Sequence, residues 1–213
     1  SDLSCSSLIT MAVLSVRAAR ASSGFAIPVA RKICGRRWPV SAVSATDFAR
    51  RDTIQKRGVI KVSKIEEKLS EMGLELPVCP APVAAYLPVQ KAGKLVYASG
   101  QTAWVNGVLQ YASKVGDTVS IEEAYESAKL SAINCLSAIK TIVDLDKIRI
   151  VRVTGFVNAV PEFGDQPKVV NGASELLEKL YGANGKHARS AIGVGSLHTN
   201  ASVEMEIIAE ILE

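Results

Sequence analysis

The chain predicts an α+β domain, a single β-sheet with two helices laid across one of its faces. Three observations predict it. Ser120 and Glu123 form a capping box at the head of a run whose apolar residues step by three and four. A second helical run starts at Asp165-Gln-Pro167, with proline in the first turn. Around them lie short alternating segments bounded by Gly, Pro and Asn, which gives the order β-β-β-α-β-α-β-β.

The elements follow in chain order. Residues 63–72 put Ile65, Leu69 and Met72 on one helical face, and Gly73 stops the turn. This is a short helical extension, 63–76, leading into the domain. Pro77, Pro80 and Pro82 force extended chain. Runs 83–89 and 95–99 read as strands joined by a turn at 91–94, and Asn106-Gly107 marks a tight turn before a third run, 108–111. The first long helix buries Ile121, Ala124, Ala128, Ala132, Cys135, Ile139 and Ile142, a stripe of mostly small residues that lets it lie close on a sheet. Residues 150–157 alternate as a strand. Val170, Ala173, Leu177 and Leu180 form the inner face of the second long helix, and Gly182 follows its end. The last strands are 189–194 and 202–212. In the second of these, Val203, Met205, Ile207, Ala209 and Ile211 face one way and Glu204 and Glu206 the other. Two helices cover one side of such a sheet, so a symmetric oligomer is the expected cover for the other.

The length of 213 residues, nearly half apolar, suits one domain with a full core, and no apolar run approaches the roughly 20 residues needed to span a bilayer. Charge divides the chain. Residues 11–61 carry eleven Lys/Arg against two acids, whereas 62–213 carry fourteen against eighteen. An Arg- and Ser-rich start with no acid between Met11 and Asp47 is the composition of an organellar transit peptide, mitochondrial before plastid. A basic arm for nucleic acid or anionic lipid is the other reading of the same residues. On the first reading Met11 initiates, residues 1–60 are presequence and 61–213 are the single folded domain. The mildly acidic remainder argues against phosphate-backbone binding, because that affinity comes from clustered Lys/Arg releasing counterions. Trp104 and Tyr97 form no stacking platform with basic residues between them. Cys79 and Cys135, the cysteines of the folded part, have no Cys or His at metal-ligand spacing.

The chemistry concentrates in few residues. Arg189 opens one strand and Glu204 lies in the next. A guanidinium grips a small carboxylate with two parallel hydrogen bonds, and a tuned carboxylate beside it manages a water or a leaving amine. The same two residues could equally form a structural pair. Gly100, in Ser99-Gly100-Gln101, suits either a close backbone approach or ordinary turn chemistry. Ser99 has no His–Asp relay to make it a nucleophile. Tyr86 suits a core or an interface, and His187 and His198 suit structural roles.

At these residues the chain resembles the YjgF/Rid family of reactive intermediate deaminases, also called endoribonuclease L-PSP. The resemblance runs from about residue 77 to the end. It is carried by Tyr86 thirteen residues before Ser99-Gly100-Gln101, by Asn171, by Ala188-Arg189-Ser190, and by Val203-Glu204-Met-Glu206. It implies a chorismate-mutase-like domain with a mixed sheet, assembled as a homotrimer with sites between subunits. It also implies hydrolysis of enamine/imine acids such as 2-aminoacrylate to the 2-keto acid and ammonia, without metal or organic cofactor. Arg189 would clamp the carboxylate, Glu204 would position or protonate water, and Tyr86 would come from a neighbouring subunit. Ser99, Gly100, Asn171 and Ala191 would shape the pocket. Three departures mark a divergent branch. Ala191 stands where cysteine is frequent, Ala84-Ala85 stand where Gly-Pro is frequent, and the connection 163–171 is about four residues longer than usual. A ribonuclease and a non-enzymatic module binding small acids are the competing expectations.

Overall fold

The computed structural model describes residues 62–81 and 84–213 of the chain. In order, these form helix α1 (Lys64–Glu71), strands β1 (Val89–Ala92), β2 (Leu95–Thr102), β3 (Trp104–Val105) and β4 (Val108–Leu109), and helix α2 (Ile121–Lys140). Strand β5 (Ile148–Asn158), helix α3 (Gln166–Tyr181) and strands β6 (Ala188–Val194) and β7 (Val203–Ile211) complete the domain. The presequence expected over 1–60 lies outside the described residues, as does Val83.

The main sheet has the order β1-β2-β7-β5-β6. Its pairs are antiparallel except β5 with β6, so the sheet is mixed. Parallel pairing of consecutive strands needs a long crossover, which α3 supplies. Three sequence expectations shift. The first strand begins at Val89, not near Val83, because Pro88 has no N–H to give the ladder. The third run does not join the main sheet; among the described residues β3 and β4 pair with each other alone. Asn106 (φ 50°) and Gly107 (φ 79°) make their tight turn, and Tyr111 (φ 54°) and Ser113 (φ 137°) then lead the chain away. Conversely, β2 runs past the expected end at Ser99 to Thr102, through a bulge between Ala98 and Gln101.

Both long helices lie on the Met205 face of the sheet, as expected. Ala124, Ala128, Ala132, Cys135 and Ile139 of α2 are buried with Val170, Ala173, Leu177 and Leu180 of α3 against Val153, Val157, Val203, Met205, Ile207 and Ala209. Burying a large aliphatic side chain contributes roughly 1.5–3 kcal/mol, so this layer dominates stability. Ile142 departs from the expected stripe: α2 ends at Lys140, and the Ile142 side chain is 47% exposed. The two helices meet backbone to backbone at Gly172, where a Cβ would stand 2.0 Å from the Tyr125 carbonyl oxygen.

The N-terminal extension docks on the outside of these helices. Its capping box is Ser63 with Glu66, and the Asp146 carboxylate accepts the N–H groups of Lys64 and Ile65 at 3.0 and 3.2 Å. Leu69 is fully buried, Lys140 pairs with Glu66, and the Ser137 hydroxyl donates to the Pro77 carbonyl at 2.6 Å. The segment after α1 thus lies over α2, which explains why α2 is buried well beyond the one stripe its periodicity predicts.

Among the described residues, no helix covers the opposite face of the sheet. Pairing puts Tyr97, Ile208 and Arg152 in one row, Glu206, Thr154 and Ser190 in the next, and Glu204, Phe156 and Ile192 in a third. Tyr97 and Ile192 are 39% and 42% exposed there.

Candidate functional site

Strand β6 is an edge strand, and Arg189 lies near its start, opposite Val153 of β5. Paired residues share a face, so Arg189 projects to the helix side, toward α3. Its Nη1 donates to Asn171 Oδ1 at 2.7 Å and to Ser174 Oγ at 3.1 Å. Those two residues stand one helical turn apart, on one face of α3. Ser174 Oγ lies 3.1 Å from His187 Nε2, and His187 Nδ1 lies 2.6 Å from the Gly185 carbonyl oxygen. A recess of about 350 Å³ opens beside this group, lined by Ser174, Glu178, Gly185, Lys186, His187 and Arg189. Ala191, two residues along β6 on the same side, is half-buried against the core.

Arg189 Nε and Nη2 make no hydrogen bond among the described residues, and no carboxylate there pairs with the guanidinium. The side-on edge that matches a planar carboxylate is therefore unengaged, while the remaining nitrogen is tethered.

Glu204 belongs to a second group. It pairs with Phe156 of β5 and, with Met205 buried beneath the helices, projects to the uncovered face. Arg189 and Glu204 thus stand on opposite faces of one sheet, two strands apart, and a single chain does not bring them together. This corrects the expectation of an arginine and a carboxylate side by side on adjacent strands, since β5 runs between β6 and β7. Gly100 makes the Glu204 position possible: a Cβ there would lie 1.8 Å from Glu204 Oε1. The close backbone approach weighed for Gly100 therefore exists, and its occupant is a carboxylate of the chain itself. His198 Nδ1 lies 3.6 Å from Glu204 Oε2. Burial raises the Glu206 carboxyl above its ordinary value, the Glu204 charge adds to the rise, and Arg152 opposes it.

Ser99 is tied to the segment that precedes β1. Its hydroxyl donates to the Leu87 carbonyl at 2.7 Å and its N–H to the Pro88 carbonyl at 2.9 Å. It thereby ties the segment carrying Tyr86, which is 48% exposed, to the bulge beside Glu204. The candidate residues fall into two half-sites, one of Arg189, Asn171 and Ala191, the other of Glu204, Gly100 and Ser99 with Tyr86 nearby. Sequence reasoning missed Ser174 and gave His187 and His198 only structural roles. Parity along α3 could have found Ser174, three residues after Asn171 on the same face.

Among the described residues no group of His, Cys, Asp and Glu is arranged to hold a metal ion. Cys135 is fully buried with its thiol raised by burial and by the Glu206 and Glu204 charges, which leaves it inert.

Comparison with known proteins agrees with this architecture. Residues 66–211 match the family described as "YjgF/chorismate mutase-like, putative endoribonuclease". The curated protein TCP17 of Trypanosoma cruzi is 31% identical over 158 residues, covering 72% of this chain and 98% of that protein. A crystal structure from Agrobacterium tumefaciens, of a protein of unknown function, is 42% identical with a TM-score of 0.66, covering 70% of this chain and 92% of that one. A "putative endoribonuclease" from Shewanella oneidensis is 29% identical with a TM-score of 0.67, covering 69% and 99%. The mixed sheet, the two helices on one face and the match over residues 66–211 lead to one conclusion: the chain belongs to the YjgF/chorismate mutase-like family.

Proposed function

We propose that the chain hydrolyses small enamine/imine acids of the 2-aminoacrylate type to the 2-keto acid and ammonia, at sites completed between copies of itself in a homotrimer. The observation that carries the reading is Arg189: tethered on Nη1, unengaged along its Nε–Nη2 edge, and exposed on an edge strand. That edge accepts a carboxylate in a bidentate fork. Glu204 faces away from it in the same chain, so the catalytic carboxylate comes from a neighbouring copy. The uncovered sheet face, with Tyr97, Ile192 and Phe156 among charged residues, is the surface on which such copies pack.

In this site Arg189 holds the substrate carboxylate and fixes the C=N carbon at a set distance from the neighbour's Glu204. On the imine tautomer, protonated at nitrogen, that carboxylate takes a proton from water as the water oxygen adds to the imine carbon. It returns this proton to the nitrogen, and as ammonia leaves, the new hydroxyl gives its own proton back to the carboxylate and becomes the keto group. The imine carbon is electrophilic to begin with, so positioning supplies much of the acceleration. Asn171 orients Arg189, Gly100 makes room for Glu204, and Tyr86 reaches in from the segment that Ser99 tethers. The acidic charge balance of 62–213 favours this over RNA cleavage. The basic, acid-poor stretch 11–61 directs the chain to the mitochondrion, with the plastid as the alternative destination.

The test is release of 2-keto acid from enzymatically generated 2-aminoacrylate, monitored by a coupled assay with wild type, Arg189→Ala and Glu204→Gln. Acceleration lost in both variants supports the hydrolase. Binding of the keto acid without turnover makes the chain a small-acid-binding module instead, and variants as active as wild type end the proposal.

A further inference from the structure

We infer that Ser174 and His187 are positioning residues for Arg189, forming a directed relay that presents the guanidinium's open edge to a ligand carboxylate. The inference rests on the reading of Arg189 as the carboxylate clamp and deepens it.

The direction of the relay follows from donor and acceptor chemistry. The Gly185 carbonyl can only accept, so at 2.6 Å the His187 Nδ1 carries the proton. In the neutral ring Nε2 is then an acceptor. Ser174 Oγ, 3.1 Å from Nε2, donates its single proton there. Its lone pairs thereby turn toward Arg189, whose Nη1 donates to it at 3.1 Å. Each group therefore has one role: Arg189 donates to Ser174, Ser174 donates to His187, and His187 donates to the Gly185 carbonyl. Gly185 is itself buried, packed so closely on α3 that a Cβ would stand 2.2 Å from the Leu177 carbonyl oxygen. The far end of the relay is thus anchored in the core.

The consequence for the site is conformational. An arginine on an exposed edge strand has many rotamers to lose on binding. Asn171 alone fixes one hydrogen of Nη1. Ser174 occupies the other, and the two bonds together set the plane of the guanidinium. His187 keeps the Ser174 hydroxyl from turning its proton toward Arg189, where donor would meet donor. The histidine acts only through the serine, and the serine only through the arginine.

A tie that merely fastened the 182–187 turn to α3 would alter stability without altering carboxylate affinity. The experiment separates these. Binding of 2-oxobutanoate to the full chain is measured by calorimetry for wild type, Ser174→Ala, His187→Phe, His187→Gln, the Ser174→Ala/His187→Phe double variant and Arg189→Ala. Turnover of 2-aminoacrylate is measured in parallel. Ser174→Ala and His187→Phe should each weaken binding about fivefold to tenfold, the range of one lost hydrogen bond. His187→Gln should stay within about twofold of wild type, because its amide oxygen reaches the Nε2 position and accepts from Ser174. The double variant should be no weaker than the weaker single, since both break one relay. In turnover the loss should appear in KM, with kcat changed less than about twofold. Wild-type affinity in Ser174→Ala and His187→Phe overturns the relay, as do additive losses or a glutamine variant as weak as the phenylalanine. If Arg189→Ala abolishes binding while the others leave it intact, the relay fails and the clamp stands. If wild type does not bind, or Arg189→Ala binds as wild type does, the clamp and the relay fall together.

Discussion

Gly100 and Glu204 share one volume across the β2–β7 ladder: a Cβ on residue 100 would lie 1.8 Å from Glu204 Oε1 and 2.8 Å from its Cδ. The bulge between Ala98 and Gln101 brings the backbone this close, and the absent side chain leaves the carboxylate its place. Gly100→Ala should therefore displace the carboxylate. The expected result is a drop of at least about tenfold in kcat/KM, similar in sign to Glu204→Gln, with the domain still folded by circular dichroism. An alanine variant of full activity would mean that Glu204 has no fixed place in the chemistry.

Arginine and lysine should not exchange at position 189. Lysine keeps the charge but lacks the fork, and it cannot donate to Asn171 and Ser174 while presenting two parallel donors outward. Arg189→Lys should weaken 2-oxobutanoate binding roughly tenfold to a hundredfold, the effect of losing a charge-assisted bond of about 1.5–3 kcal/mol. Titration calorimetry reads it directly.

Arg189 and Glu204 on opposite faces make a mixing experiment decisive. Arg189→Ala and Glu204→Gln proteins, each inactive alone, are unfolded together and refolded as mixed assemblies. Random mixing gives roughly a quarter of sites an intact arginine from one copy and an intact glutamate from another, hence roughly a quarter of wild-type activity. No recovery on mixing would require both residues to act from a single chain, which the sheet forbids without refolding.

Glu66 should set part of the acid limit of stability. Burial opposes its ionisation, but hydrogen bonds from Lys140 and from the Ser63 N–H and hydroxyl, with the Lys140 charge, outweigh it and hold the carboxyl below its ordinary 4.5. A carboxyl lowered in the folded state contributes stability above its unfolded value and loses it as pH falls through the folded one. Urea midpoints should therefore fall with pH below about 4.5 in wild type and fall less steeply in Glu66→Gln, which should also be less stable near neutrality.

Asp146 caps α1 from a distant turn, taking the N–H groups of Lys64 and Ile65. Asp146→Ala should destabilise the domain by about 1 kcal/mol, the usual worth of an N-terminal cap. Thermal melts should register a loss of a few degrees, with keto-acid binding unchanged.

Much of this fold was legible because local signals agreed. The Ser120–Glu123 capping box opens α2 where expected, and the alternation of Val203, Met205, Ile207 and Ala209 correctly turned Glu204 away from the core. Relations between strands were not legible. Alternation gives the parity of one strand, whereas the faces of Arg189 and Glu204 relative to each other depend on β5 lying between them. Strand β6 offers no alternation to read, because an edge strand with Ser190, Ala191 and Gly193 has little side chain to bury. Arg189 itself was identified from the sequence, along with Asn171. The contacts of Ser174 and His187 were not, since they depend on how the 182–187 turn packs against α3.

The contact between Gly172 and Tyr125 has a consequence for any effort to redesign this protein. Asn171 precedes Gly172 in the chain, so the depth at which its amide meets Arg189 is inherited from how tightly two helices touch. A larger residue at 172 would pry the helices apart and lift the amide with them. Libraries that diversify the pocket would therefore do well to leave position 172 alone, although no ligand ever reaches it.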